Sequence, residues 1–266
     1  MGLGNGVSEF GKQLRKWRQT RRLSQLQLAV DAGVSPRHLS FIETGRSQPS
    51  REMVLLLAEQ LELPLREQNA MLLAAGFAPA FEGRSLDSPE MSVVRESVAM
   101  VLKSHEPFPA ITVDRKWNVV MNNCGAPLLT EGLSLERLGP VVNVYRLSLH
   151  PDGLRPRVLN FPEYARHLVA RLRHDATLSG DGELFELLSE VESYPGMKSI
   201  AGISPSRGNV ALPLRLRSAQ GDLSFITMIA TFGTPFDVTV SELAVESFFP
   251  ADDITARLVR ERARHP

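Results

Sequence analysis

Residues 35–48 bring together side chains that could contact a nucleic acid. The stretch SPRHLSFIETGRSQ places an arginine, a histidine and several hydroxyl groups at the two ends of one short predicted helix. The guanidinium of Arg37 could donate two hydrogen bonds to O6 and N7 of guanine, a contact that discriminates between bases by about 1–3 kcal/mol. The side chains that we expect to face base edges are Ser35, Pro36, Arg37, His38 and Ser40.

A second group of side chains could bind phosphate. They are Gln25, Arg46, Ser47 and Gln48, with basic residues of the first predicted helix. Phosphate contacts set register and affinity but carry no sequence information. Residues 1–50 contain eight Lys and Arg against three Asp and Glu, a net charge of +5 in a chain whose total is zero. This asymmetry favours an anionic partner, although a solvated helix face would show the same excess.

Five short helices, without any strand pattern, are predicted over residues 9–76 to position these groups. Phe10, Leu14 and Trp17 recur at steps of three and four residues, which predicts one amphipathic helix. A second helix begins at Ser24. The spacing of Ser24 and Gln27 predicts a capping box, in which each side chain accepts from a backbone N–H at the beginning of the helix.

The third helix follows a glycine turn at Gly33. It has Ser35 as its N-cap and Pro36 at its first position, and Gly45 follows its end. Two helices joined by such a turn form a helix-turn-helix, whose second helix lies in the major groove of DNA. Two further helices are predicted at residues 51–63 and 64–77.

Residues 10–76 resemble the helix-turn-helix of the XRE family, the lambda-repressor-like five-helix domain. The matching residues are Gln25, Ala29, Gly33, Val34, Ile42, Glu43 and Gly45. The resemblance implies that Gln25 contacts phosphate. It also implies that Glu43, near the end of the third helix, pairs with Arg18 of the first helix, although a solvated Glu43 is the alternative.

Residues beyond the Pro- and Gly-rich stretch 77–90 show a mixed pattern of helices and strands. The predicted helices are residues 91–104, 160–178 and 181–191. The predicted strands are residues 109–114, 117–121, 209–218 and 222–233, with tight turns at Arg115-Lys116 and at residues 219–221, and 238–250 is a strand or a helix. The fold class is therefore α+β: an all-α first domain and a second domain with an antiparallel sheet and flanking helices.

Motifs for catalysis are not found in the sequence. It has no GxxxxGK[ST], HExxH or GxSxG motif, and Cys124 has no neighbouring His or Asp that would mark a nucleophile. The histidines His105, His150, His167, His174 and His265 lack metal-ligand spacing. We therefore expect no enzyme, no metal and no cofactor. Without an apolar signal segment or a run of about 18 apolar residues, a cytoplasmic protein without a membrane span is expected.

Residues of about 105–252 resemble the ligand-binding domain of MmyB-like regulators, which has a PAS-like fold. The segments that carry the resemblance are HEPFPAITVDRKWNVVMNN, NVYRLSLHPDGLRPRVLNF, HLVARLR, VALPLRLRSAQGDLSFITMIATFGTPFDVTVSEL and ESFFPAD. The resemblance implies a transcriptional regulator with a bound long-chain fatty acid. The predicted divisions are a DNA-binding domain at 1–80, a linker with a connecting helix at 81–104, and a PAS-like ligand-binding domain at 105–266.

The predicted strands carry apolar side chains on both faces and could enclose an apolar pocket, although a packed core is the alternative. We expect the ligand chain to lie against Val113, Met121, Leu214, Phe225 and Ile229. A buried acid group needs a cation or several donors. Candidates near one another in the sequence are Asn143, Tyr145, Arg146 and His150. Arg146 is the first choice because its guanidinium can donate two parallel hydrogen bonds to a carboxylate. The alternative is that Arg146 makes a structural contact or faces solvent.

The expected partners are a double-stranded DNA operator, a small apolar ligand and a second copy of the chain. One domain of this kind offers few base contacts, so a homodimer with recognition helices about 34 Å apart is expected. The expected dimer surface is the hairpin at 209–232 with residues 247–249. Two other functions remain open: a DNA-binding protein whose second domain only dimerises, and an enzyme or antitoxin-like partner with a DNA-binding head.

Overall fold

The computed structural model describes residues 8–200 and 211–264. Two compact units are present. The first runs up to Gly83 and includes Thr177–Ser179 and Pro235–Ser241, and the second contains Arg84–Ala176, Gly180–Thr234 and the residues from Glu242 onward. The predicted strand residues Asn209 and Val210, and also His265, lie outside the described residues. No helix in the described ranges is both long and apolar enough to cross a bilayer.

The first unit contains the five expected helices. They are α1 (Glu9–Thr20), α2 (Gln25–Asp31), α3 (Pro36–Glu43), α4 (Arg51–Gln60) and α5 (Leu65–Ala74). Serine side chains cap the first four, at Ser8, Ser24, Ser35 and Ser50, each accepting a hydrogen bond from a backbone N–H three residues later.

The predicted capping box at α2 forms only in part. The hydroxyl of Ser24 accepts from the backbone N–H of Gln27 at 3.0 Å. The side chain of Gln27, however, donates to Asp31 one turn later, at 2.7 Å, instead of turning back to the N-cap. The hydrogen bond from the Gln27 amide to a charged carboxylate is stronger than the neutral one that its oxygen would accept from the N-cap N–H, and this accounts for the difference.

The first unit's core forms where the apolar stripes of the five helices meet. Its fully buried members are Phe10, Leu14, Leu28, Ala29, Leu39, Ile42, Val54, Leu57, Ala58, Leu61, Met71 and Leu72. Gly33 between α2 and α3 has φ of +64°, a left-handed conformation that glycine adopts without strain. At Gly11 of α1 a Cβ would overlap the carbonyl group of Glu43, so this glycine lets α1 approach α3 closely.

The second unit combines helices with one five-stranded sheet. Its helices are α6 (Ser92–Ser104), α7 (Pro127–Thr130), α8 (Val144–Leu149), α9 (Phe161–Ser179), α10 (Gly182–Ser193), α11 (Met197–Ile200) and α13 (Asp253–Arg264), with α12 (Val238–Ser241) belonging to the first unit. Its strands are β1 (Ala110–Val113), β2 (Val119–Asn122), β3 (Leu214–Ser218), β4 (Gly221–Thr231) and β5 (Ala244–Pro250). All neighbouring strands are antiparallel, in the order β2-β1-β5-β4-β3.

The two faces of the sheet belong to different clusters. One face packs in the main core, which includes Val113, Leu214 and Phe225 together with residues of α8, α9 and α10. On the other face α6 packs Val98 and Leu102 against Ala110, Val245 and the partly buried Met121. Met121 pairs with Thr112 across β1 and β2, and successive residues of a strand alternate between faces, so Met121 and Val113 belong to different clusters.

Three predicted boundaries in the second unit shift. The turn after β1 spans residues 114–118 rather than Arg115-Lys116, because Asp114 Oδ1 accepts from the backbone N–H groups of Lys116 and Asn118 at 2.8 and 2.9 Å. The strand predicted over 209–218 begins at Leu214 within the described residues. The ambiguous segment 238–250 contains both elements, helix α12 followed by strand β5.

Candidate functional site

Helix α3 presents its first turn to solvent while its opposite side is buried. The Ser35 hydroxyl accepts from the backbone N–H of His38 at 3.1 Å, and Pro36 occupies the first position. Pro36 and Arg37 are exposed, whereas His38 and Ser40 are half-buried. Leu39 and Ile42, on the opposite side of the helix, have no exposed surface and pack in the core of the first unit. The residues expected to face base edges therefore lie on the solvent side, as a recognition helix requires.

The ring of Phe41 contacts two arginine side chains, one within this helix and one just beyond its end. The guanidinium carbon of Arg37 lies 5.3 Å from the centre of the Phe41 ring, and that of Arg46 lies 6.0 Å from it. The carbonyl oxygen of Phe41 also accepts from the backbone N–H groups of Arg46 and Ser47, at 2.8 and 3.1 Å. Phe41 was not among the positions predicted from the sequence. Its signal was the four-residue spacing from Arg37, which puts both side chains on one helix face.

Arg18, Gln25 and Glu43 form one buried polar network. Arg18 donates to both carboxylate oxygens of Glu43, at 2.6 Å from Nε to Oε1 and 3.0 Å from Nη2 to Oε2. Gln25 Nε2 donates to Oε2 at 2.7 Å. An amide nitrogen has two hydrogens. Glu43 therefore fixes the orientation of Gln25, and the second hydrogen is left for the expected phosphate contact.

Arg146 is already paired, which removes the main reason for placing a ligand's acid group there. Its Nε and Nη2 donate to Glu190 at 2.8 and 2.7 Å, and the hydroxyl of Tyr194 donates to the same carboxylate at 2.6 Å. These hydrogen bonds lower the pKa of Glu190, with the Arg146 bond as the largest cause. The cleft around them also contains Lys116, Glu183 and Glu186, so its carboxylates outnumber its cations.

The three polar residues predicted alongside Arg146 have structural partners. Asn143 caps α8, accepting from the backbone N–H of Tyr145 at 3.1 Å and donating to the carbonyl of Lys116 at 2.8 Å. His150 packs edge-on against the ring of Tyr194, with 5.0 Å between centroids. Tyr145 is fully buried. The segment that contains them serves the stability of α8 rather than one converging site.

The five apolar residues predicted to hold the ligand chain do not line one cavity. Val113, Leu214 and Phe225 are buried in the main core, with 0–2% of their surfaces exposed. Met121 packs on the other face of the sheet. Ile229, on β4 beyond the packed part of the sheet, is 43% exposed. Alternation along the strands identified apolar positions but not which of them face open space.

A buried charge pair in the main core was missed by the sequence analysis. Glu246 of β5 is 2% exposed, and its Oε1 lies 3.8 Å from Nη1 of Arg171 on α9. The Arg171 guanidinium lies 4.0 Å from the centre of the Trp117 ring, and its Nε donates to the hydroxyl of Tyr145 at 3.3 Å. Burial raises the pKa of Glu246 despite the nearby arginine. The available signal was a charged residue at an inward position of β5.

Comparison with known proteins gives two family matches. Residues 94–261 match the MmyB-like transcription regulator ligand binding domain, and residues 14–68 match a helix-turn-helix family. The chain is 34% identical over 114 residues to an uncharacterized HTH-type transcriptional regulator, RghRB, of Bacillus subtilis strain 168, covering 42% of this chain and 79% of the relative. It is 31% identical over 112 residues to the HTH-type transcriptional repressor RghR of the same strain, covering 42% and 78%.

One solved structure is similar to part of this chain. It is the restriction-modification controller protein C.AhdI from Aeromonas hydrophila, with 33% identity over 23% of this chain and 92% of that chain, and a TM-score of 0.22.

Proposed function

Because the chain belongs to the MmyB-like transcription regulators, we propose that it reads a specific DNA operator through α3 and that a small apolar acid, a fatty acid, controls this binding. The regulator role, with a helix-turn-helix and a ligand-binding domain, follows from the family matches. The sequence-specific reading, the ligand's identity and the cytoplasmic location are proposals.

The observation that carries the DNA proposal is the exposed Arg37 held over Phe41 at the beginning of a well-anchored helix. A guanidinium held by a ring loses less conformational freedom when it binds a base. The test is a selection of bound duplexes from a random-sequence pool with the purified full chain. We expect one enriched motif that binds at least a hundredfold more tightly than its scrambled version at moderate salt. Equal affinity for both would overturn sequence-specific reading.

The fatty acid proposal has two supports. The family is defined by a ligand-binding domain that covers most of the second unit. The second unit also contains a surface pocket of about 380 Å³ that has an apolar floor and is bordered by Arg166, Arg173 and Lys198. Extraction of the purified protein followed by mass spectrometry, and titration with dodecanoate, test the proposal. A protein that yields no lipid and does not bind dodecanoate would contradict it.

The homodimer proposal rests on apolar side chains left exposed on the sheet. Ile226 and Phe249 are paired across β4 and β5 and are 37% and 39% exposed, and Met228 is 61% exposed. These residues lie in the hairpin and in the 247–249 segment that the sequence analysis named. Sedimentation at micromolar concentration should give a dimer with and without DNA. The change Met228→Glu should shift it towards monomer, and a monomeric wild type would refute the proposal.

The same exposed patch also favours the second candidate, a regulator whose second unit serves only to dimerise. The two candidates differ in their response to ligand. If dodecanoate binds and changes operator affinity, the second unit is a sensor. If operator binding is the same at every dodecanoate concentration while Met228→Glu abolishes the dimer, dimerisation is its function.

A further inference from the structure

Helix α9 borders a surface pocket with one of its faces. Arg166, Val169, Ala170 and Arg173 are spaced at three, four and seven residues from the first, so they share that face. The opposite face of α9, with Leu168 and Leu172, is buried in the main core. The pocket has a volume of about 380 Å³. This is within the usual range of about 300–1,000 Å³ for small-molecule sites.

The far wall of the pocket comes from α10 and α11. Met197 and Ile200 of α11 contribute apolar surface and are themselves 5% and 7% exposed, so they are held in place by packing. With Val169 and Ala170 across from them, the floor is apolar. A hydrocarbon chain that lies on this floor leaves water, which favours its binding.

The polar groups of the pocket are mostly cations. Among the described residues, Arg166, Arg173 and Lys198 line it together with one carboxylate, Glu192, which pairs with Arg173. The Nε of Arg166 is fully buried, and no described residue accepts its hydrogen. Leaving a buried N–H without an acceptor is costly, so in native structures such groups nearly always have a partner. Because Nε itself has no accessible surface, an anionic ligand in the pocket would contact Arg166 through its terminal guanidinium nitrogens.

We propose that this pocket is the ligand site, that it takes a monoanion with an apolar chain, and that Arg166 binds the anionic group. The inference rests on the proposed function and gives its ligand a location and an anchor. Here cations outnumber carboxylates, whereas the cleft beside Arg146 has the opposite balance and its arginine is occupied by Glu190. An anion is therefore attracted to the α9 pocket and repelled from the cleft.

The experiment compares two probes with the same chain, dodecanoate and dodecanol, on the full-length protein by calorimetry. The wild type should bind dodecanoate more tightly than dodecanol. Arg166→Gln should lower the affinity for dodecanoate on the order of tenfold, because one charge-assisted hydrogen bond is lost, and leave the affinity for dodecanol unchanged. Arg146→Gln tests the rival cleft. Arg257→Gln, whose side chain is 67% exposed on α13, is the matched control for loss of one positive charge.

The outcomes separate the site from the function. A loss specific to dodecanoate in Arg166→Gln, absent from the other two variants, supports the site, and the unchanged dodecanol affinity shows that the variant is folded. If all three variants bind dodecanoate like the wild type, the pocket is wrong while the sensor function stands. If only Arg146→Gln loses affinity, the cleft is the site. If the wild type does not bind dodecanoate, both the ligand class and this site are overturned.

Discussion

Arg18 of α1 and Glu43 of α3 form a buried, two-pronged ion pair, with 2.6 Å between Nε and Oε1 and 3.0 Å between Nη2 and Oε2. The two residues are 8% and 3% exposed. The same carboxylate holds Gln25 at the beginning of α2. One side chain thus joins the three helices on which the DNA contacts depend.

Loss of either partner of this pair should destabilise the first unit. Arg18→Ala or Glu43→Ala leaves the other charge buried and unpaired, which costs on the order of 3–5 kcal/mol. The chain has two tryptophans, so in a Trp117→Phe background Trp17 reports the first unit alone. Urea unfolding followed by its fluorescence measures the cost. A double-mutant cycle with coupling near zero would show that the pair does not stabilise the unit.

Arg37 and Arg46 should affect DNA binding in different ways. Arg37→Ala should weaken binding to the selected operator by about 1–3 kcal/mol, because a base contact is lost, and leave binding to scrambled DNA nearly unchanged. Arg46→Ala should weaken both sequences alike and reduce the slope of log affinity against log salt concentration by about one, because a phosphate contact is lost. Binding titrations at several salt concentrations check both. Parallel losses in Arg37→Ala would rule out base reading by this residue.

Phe41 should act through the two arginines that it holds. Phe41→Leu keeps an apolar side chain but removes the ring, so operator affinity should fall several-fold, at about 0.5–1 kcal/mol for each exposed cation–π contact. Phe41→Tyr keeps the ring and is the control. In an Arg37→Ala, Arg46→Ala background the Leu change should have little further effect. A full additional loss there would mean that Phe41 contacts DNA directly.

Glu246 should make stability fall as pH rises. Burial raises its pKa above the ordinary value of 4.5, although the nearby Arg171 acts in the opposite direction. As pH rises past 4.5 the unfolded chain releases this proton first, so the free energy of unfolding falls until the pH passes the folded-state pKa.

The variant Glu246→Gln has no titrating proton at this position. Its free energy of unfolding should therefore lack this contribution to the fall with pH. Urea unfolding of the second unit at pH 4.5, 6 and 7.5 should show the wild type less stable relative to Glu246→Gln at the higher pH values than at pH 4.5. Glu261→Gln, at an exposed position of α13, should follow the wild type. A constant difference between wild type and Glu246→Gln across this range would contradict a raised pKa.

The first unit could be predicted almost entirely from the sequence. Its helices are set by local signals, such as serine caps, Pro36 and Gly33, which act within a few residues. The pairing of Arg18 with Glu43 followed from a family resemblance, and the structure bears it out. Phe41 was missed because its role depends on Arg46, which lies beyond the end of α3.

The candidate ligand site of the second unit was decided by tertiary structure. Alternation along strands gave Val113 and Met121 as apolar positions, but the register of β1 with β2 and the packing of α6 on one face put them in different clusters. Arg146 looked free for a ligand because Glu190 is 44 residues away in the chain. Local sequence fixes which groups a segment offers. Which of them stay unpaired depends on contacts between distant segments, and these are set only when the helices and the sheet pack together.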